Sequence, residues 1–200
     1  LLADKNWLDG KKTAGSDAAA VKNNHQLAPN CDLYKEYKEL LIKQMANNLA
    51  VTTFSLPKAI HTVLFSKSSS GCGYGKHSDA PFMLHGRADI AFTCFLQEPE
   101  SYEGGDLLLE TFPQARKIKL KAGQAILYPC TAIHQVLQVT KGERVVAVGW
   151  INSYIASHEH RTNLFHIENS LNNIVKEQGR TKHSDLIYQS LFNMKRNLAN

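Results

Sequence analysis

Between Asp32 and about Ala50 the apolar positions Leu33, Tyr34, Tyr37, Leu40, Leu41 and Met45 recur at helical spacing, with Asn30 or Asp32 placed to cap the start. Pro57 then breaks the rhythm. From 60 to 153 the chain reads as short apolar stretches, at 60–65, 90–96, 106–110, 117–120, 124–128, 135–139 and 144–151, divided by glycine, proline and polar residues. Short stretches at such regular spacing predict an all-β sandwich or barrel rather than alternating βαβ units. After Tyr154 the helical period returns in Leu186, Ile187, Leu191, Phe192, Met194 and Leu198, with Ser184 as the expected N-cap. The expected organisation is a helical region over 1–57 packing on the core, a β core over 58–153 and a helical extension over 154–200. No internal repeat or low-complexity tract interrupts it.

Composition narrows the picture without naming a function. A hydrophobic fraction of 43% and a charged fraction of 20% are those of an ordinary folded chain, and 200 residues suit one core with helical additions. No apolar run approaches the roughly 18 residues of a membrane span. The net charge of +5 is mildly basic, but the lysines are scattered. Lys117, Lys119 and Lys121 alternate, which reads as the solvated side of a strand, so no nucleic-acid partner is expected. Cys31, Cys72, Cys94 and Cys130 contain no C-x-x-C pair and read as reduced thiols of a cytoplasmic protein, Cys72 being a packing residue. The chain opens on Leu1-Leu2 rather than methionine, consistent with a native start further upstream.

The chemistry concentrates in His77-Ser78-Asp79, His134 and Arg144. In an extended segment residues two apart share a face, so His77 and Asp79 can offer two ligands to one metal. Gly71, Gly73 and Gly75 just upstream suit a sharp approach to that face. Two histidines and a carboxylate can occupy one face of an Fe(II) octahedron and leave the rest for a chelating co-substrate and O₂. An arginine can grip a dicarboxylate through two parallel hydrogen bonds. A bare H-x-D or a lone histidine is more often incidental; the ordered set points to a 2-oxoglutarate-dependent oxygenase.

Strand parity restricts the topology. A two-residue hairpin at Lys141-Gly142 would pair Arg144 with Val139 and send His134 and Arg144 to opposite faces. A shared pocket needs a longer loop, a bulge, or strands in two facing sheets, and a jelly roll supplies the last. Arg144 precedes the apolar run Val145-Val146-Ala147-Val148, so an inward guanidinium there requires an anion.

The flanking segments resemble a known family. From Trp7 to about Glu168 the chain is similar to the PKHD-type hydroxylases, bacterial members of the prolyl/lysyl-hydroxylase branch of Fe(II)/2-oxoglutarate dioxygenases. The resemblance lies in Ala20-Val21-Lys22-Asn23-Asn24-His25-Gln26-Leu27, Tyr74-Gly75-Lys76-His77-Ser78-Asp79 and Arg87-Ala88-Asp89-Ile90. It continues in Tyr102-Glu103-Gly104-Gly105-Asp106-Leu107, Ala122-Gly123-Gln124-Ala125-Ile126-Leu127-Tyr128-Pro129, Ile133-His134-Gln135-Val136 and Gly142-Glu143-Arg144. The tail around 161–168 resembles the family's C-terminal extension. This implies a double-stranded β-helix (jelly roll), with His77, Asp79 and His134 as iron ligands and Arg144 on the distal carboxylate of 2-oxoglutarate. It also implies ascorbate as the reductant. The implied reaction converts 2-oxoglutarate and O₂ to succinate and CO₂ while hydroxylating an unactivated C–H of a small metabolite or a peptidyl proline or lysine. Ser68 and Ala80 depart from residues common in relatives, which bears on substrate choice while the ligand set stays intact.

Around that set, Tyr74 and Thr93 are candidates to contact the co-substrate, and Arg87, Asp89 and Lys22 to contact substrate. For Arg87 and Asp89 a structural ion pair is an equal reading, and for Phe95 core packing is the better one. Asn23 and Asn24 extend the polar cluster of Lys22. His61, His85, His158, His160 and His166 lack a matched partner and read as non-ligands. Two rival functions share the architecture: a cupin-like binder without oxygen chemistry, which would need no dicarboxylate clamp, and a nucleic-acid demethylase, which would need a basic face. The terminal helices leave a homo-oligomer interface open.

Overall fold

The structure, a computed structural model, describes residues 3–13, 20–111 and 113–200; Leu1 and Leu2 lie outside the described residues. Ahead of the first long helix come strands β1 (Trp7–Asp9), β2 (Lys22–Asn23) and β3 (His25–Leu27). Helices α1 (Asp32–Ala46) and α2 (Leu49–Ser55) follow. Next come β4 (Pro57–Ser69), β5 (Gly73–His77), β6 (Phe82–Met83), β7 (Gly86–Arg87) and β8 (Ile90–Phe95). The remaining strands are β9 (Glu103–Gly104), β10 (Leu107–Leu109), β11 (Arg116–Ile118), β12 (Ala125–Pro129), β13 (His134–Val136), β14 (Val139–Lys141) and β15 (Glu143–Ser153). Helices α3 (His158–Gln178) and α4 (Lys182–Leu198) close the chain.

Two antiparallel sheets carry the fold. One runs in the order β1-β3-β4-β15-β8-β12, the other β11-β10-β13-β5-β2. Together they form the jelly roll expected from the strand spacing. The segment expected as a strand at 135–139 is divided between β13, in the five-stranded sheet, and β14, which pairs with β9. Only Gly142 separates β14 from β15, which is central in the six-stranded sheet. His134 and Arg144 therefore sit in different sheets, and the parity conflict of a simple hairpin does not arise.

Burial explains why β8, Ile-Ala-Phe-Thr-Cys-Phe, shows no polar alternation: all six of its residues are buried. Ile90, Phe92 and Cys94 pack outward with Val63, Phe65, Ala147 and Ile151 against Tyr34 and Met45 of α1. Ala91 faces inward with Leu107, Leu109, Tyr128 and Cys130. The Tyr34 hydroxyl donates to the Val63 carbonyl at 2.7 Å, which locks α1 to β4. A smaller core of Ile155, Leu164 and Leu191 holds the two C-terminal helices, with Leu56 packed against it.

Several local expectations are corrected. The region 1–57 is part strand, because segments of two or three residues carry no readable period. Helix α1 starts after Cys31, whose side chain makes no capping bond, and Asp32 is instead the acid of the first turn. Thr181, not Ser184, is the N-cap of α4; Ser184 is the N3 residue that bonds back, closing a capping box. The helical rhythm after 154 is broken into two helices at Gly179, whose φ is +80°.

Gly142 allows the chain to cross between the two sheet systems. Its φ is +76°, and a Cβ there would lie 2.8 Å from the Ser101 carbonyl oxygen. Gly142→Ala is therefore expected to destabilise the fold by about 2 kcal/mol, combining left-handed backbone strain with the contact. Urea unfolding midpoints measure this, and an unchanged midpoint would contradict it.

Candidate metal and dicarboxylate site

His77 ends β5 and His134 begins β13, and the antiparallel register sets them directly opposite each other. Their ring centroids are 4.2 Å apart. Asp79 lies two residues past His77, where its backbone N–H donates to the Cys130 carbonyl at 3.3 Å. One ligand atom from each of the three residues falls within 4.8 Å of the others, the one such His/Cys/Asp/Glu cluster among the described residues.

The hydrogen bonds of the two rings leave the correct nitrogens free. His77 Nδ1 lies 2.8 Å from the Gly75 carbonyl, and His134 Nδ1 lies 3.0 Å from the Ala132 carbonyl. A carbonyl can only accept, so each Nδ1 carries a proton, and in the neutral ring the lone pair is then on Nε2. Such carbonyl anchors fix ring orientation at metal sites. Burial lowers the His77 pKa, with the Gly75 carbonyl opposing, and so favours the neutral ring a metal requires. Asp79 Oδ1 is 3.9 Å from His134 Nε2, while Oδ2 is buried with no hydrogen-bond partner. An unpartnered buried carboxylate oxygen is costly unless a cation meets it. Two imidazoles and one such carboxylate fit Fe(II).

The three residues line a cavity of about 260 Å³ enclosed by both sheets. Arg144, at the start of β15, lines the same cavity and is 2% exposed. Its stem crosses Gly105, where a Cβ would sit 2.9 Å from Arg144 Cδ, and its guanidinium lies 5.5 Å from the Phe95 ring centroid. Among the described residues no carboxylate forms an ion pair with it, and its Nε has no partner. Burial lowers its pKa, yet an arginine stays charged in a protein. This buried cation can accept a planar carboxylate by two bonds.

Other lining groups are kept neutral. Tyr74 stacks on His77 at 3.8 Å, and burial followed by the charge of Asp79 pushes its phenol up to about 12. Burial and then Asp79 also push Tyr128 up. Lys22 is buried above the Tyr74 ring, and burial pulls its pKa down to about 8 against the opposing charge of Asp9.

Of the residues singled out in the sequence, His77, Asp79, His134, Arg144, Tyr74, Thr93 and Lys22 line this one cavity. Ser68, Ala80 and Asn24 line it too. Arg87 and Asp89 stand outside the lining and pair with each other at 2.7 Å. Arg87 also donates to the Ser153 carbonyl, and the Ser153 N–H donates to Asp89, so the pair pins the end of β15. Phe95 packs beneath Arg144 rather than lining the space, and Cys72 is a buried packing residue. Sequence reasoning missed Tyr128 and Trp150. Counting by twos from Arg144 through Val146 and Val148 reaches Trp150 on the same face, a signal that was present.

Comparison with known proteins agrees with this geometry. The 2OG-Fe(II) oxygenase superfamily matches residues 61–152. A PKHD-type hydroxylase of Prochlorococcus marinus (strain MIT 9313) is 50% identical over 200 residues, covering 100% of this chain and 90% of the relative. Another, from strain NATL1A, is 44% identical with the same coverage. The fold is shared with the crystal structure of a Pseudomonas putida prolyl-4-hydroxylase, with a TM-score of 0.54 and 17% identity over 74% of this chain and 78% of that one. It is also shared with a Trichoplax adhaerens prolyl hydroxylase in complex with a hypoxia inducible factor oxygen degradation domain peptide fragment. That match has a TM-score of 0.51 and 14% identity over 80% and 74% of the two chains.

A metal that binds the folded state alone stabilises it. At a hundredfold excess over its dissociation constant, Mn(II) is expected to add about 2.7 kcal/mol. Asp79→Asn and His134→Ala are each expected to abolish that gain in thermal unfolding. Retention of the full Mn(II) shift in both variants would rule out the cluster as the site.

Proposed function

The chain belongs to the PKHD-type hydroxylases within the 2OG-Fe(II) oxygenases, and we propose that His77, Asp79 and His134 hold the iron while Arg144 takes the far carboxylate of 2-oxoglutarate. As a 2-oxoglutarate-dependent dioxygenase it requires Fe(II) and 2-oxoglutarate. The observation that carries the assignment of Arg144 is its burial, with no ion-paired carboxylate among the described residues, in the cavity shared with the three candidate ligands.

Fe(II) and O₂, when bound, supply the chemistry by which 2-oxoglutarate, O₂ and R–H become succinate, CO₂ and R–OH. The protein orients the reactants and keeps water away. Both imidazoles are held by carbonyls at Nδ1, so neither ring is free to rotate. Arg144 fixes one end of the dicarboxylate and thereby directs its keto acid end toward the three ligands. The protonated phenol of Tyr128, which lines the cavity with Arg144, offers a further donor. Leu107, Val136, Val146 and Val148 form apolar walls that limit water beside the reacting centre. No side-chain acid or base is required.

The hydroxylated group is a peptidyl side chain or a small metabolite. The Trichoplax relative holds a peptide, which favours including peptides in a screen. Ascorbate is the reductant that the family resemblance implies, and four free thiols support a reducing, cytoplasmic setting.

Fe(II)-dependent conversion of 2-oxoglutarate to succinate, even uncoupled from substrate, tests the reaction; no turnover would sink it. Arg144→Met removes charge-assisted bonds of about 2–3 kcal/mol, so KM for 2-oxoglutarate is expected to rise on the order of 30- to 150-fold. Mn(II) affinity should stay unchanged in that variant. Mass gain of one oxygen across peptides and metabolites, with His134→Ala as the blank, identifies the substrate.

A further inference from the structure

Arg161, in the first turn of α3, is 1% exposed and heads the largest fully buried side chains among the described residues. Anchoring α3 alone does not call for a buried guanidinium, since Leu164 of the same helix already packs with Ile155 and Leu191. The hydrogen bonds of Arg161 lead elsewhere. Nη1 donates to the Ile155 and Ala156 carbonyls at 2.6 and 2.8 Å, and Nη2 reaches the Asp89 carbonyl at 3.4 Å. That same carbonyl accepts from the Cys130 N–H at 3.2 Å, and the Cys130 carbonyl accepts from the Asp79 N–H at 3.3 Å. A continuous run of bonds thus joins the C-terminal helix to the backbone N–H of Asp79, the residue that carries the one carboxylate of the metal cluster.

Asp79 has particular need of such support. His77 and His134 lie in paired strands and have carbonyl anchors at Nδ1. Asp79 lies beyond the end of β5 in irregular chain, and its Oδ2 makes no bond. Its backbone bond to Cys130 ties it to the opposite loop. Asp89, which holds Cys130, is itself fixed through its carboxylate by Arg87 at 2.7 Å and by the Ser153 N–H at 2.8 Å. Its carbonyl direction is therefore set.

We propose that Arg161 is a positioning residue for Asp79, acting through the Asp89 carbonyl and Cys130 so that metal affinity depends on the docking of the C-terminal helices. The inference rests on the metal-site reading above. An ammonium at this position can replace the bonds to Ile155 and Ala156 but cannot also span to Asp89, as the forked guanidinium does.

Mn(II) affinity of the full chain, measured by calorimetry beside thermal unfolding, tests it without turnover. Arg161→Lys is expected to weaken Mn(II) binding about tenfold, the scale of losses on removing outer partners of metal ligands. Leu164→Ala, in the same helix and equally buried, is expected to lower the unfolding temperature yet leave Mn(II) affinity within twofold. Wild-type affinity in Arg161→Lys, or an equal loss in Leu164→Ala, overturns the proposal. Arg161→Gln repeats the measurement if the lysine variant does not fold. A wild-type chain that binds no Mn(II) overturns the metal-site reading as well, a result distinct from equal binding by wild type and variant.

Discussion

His77 and His134 meet because β13 runs antiparallel to β5 in a register that pairs the last residue of one with the first of the other. The candidate chemistry of the cavity depends on that pairing. A slip of β13 by one residue would turn its ring to the other face of the sheet and part it from His77. The carbonyls of Gly75, within β5, and Ala132, in the turn before β13, each two residues before its histidine, then fix both rings. Asp79 joins them from irregular chain, so the cluster combines two rigid members with one that depends on its surroundings.

The cavity is electrostatically incomplete by itself. Arg144 brings a buried cation from β15, Asp79 a carboxylate with one oxygen unbonded from the irregular chain after β5, and the two do not pair. Folding has desolvated both groups and left one oxygen of Asp79 and the Nε of Arg144 without a hydrogen-bond partner, which is costly. A divalent metal at one end and a dicarboxylate spanning to the other would satisfy both. Stability left unrealised in the protein alone is then available as binding energy. Around them the phenols of Tyr74 and Tyr128 are held in their neutral forms by burial, so they add donors without adding negative charge.

The outer layers have separate tasks. Helix α1 covers the outward face of the six-stranded sheet, where Phe65, Phe92 and Ile151 lie, and so allows β8 to be buried on both sides. The C-terminal helices pack through a small core of their own and send one charged side chain, Arg161, back to the loops beneath the cluster. Arg87 and Asp89 belong to this supporting frame rather than to the cavity surface. An ion pair two residues apart in sequence has no intrinsic mark that separates substrate contact from bracing, because both use the same groups.

The β character of 58–153, the long helices on either side and the candidate set His77, Asp79, His134 and Arg144, which line one cavity, were legible in the chain, because periodicity and ligand spacing are local properties. Residues two apart in an extended segment share a face whatever surrounds them. The short strands before Asp32 were not legible, since two or three residues cannot display a period and are held as strands by the sheets they join. Thr181 as a cap depended on backbone angles that composition does not record. Parity alone showed that His134 and Arg144 could share a pocket only through a longer loop, a bulge or strands in two facing sheets. Tertiary structure decided that they do, by ending one sheet system at β14 and starting β15 after a single glycine in the left-handed region. It also decided which buried atoms went unpaired, because desolvation belongs to the assembled core and no residue carries it alone.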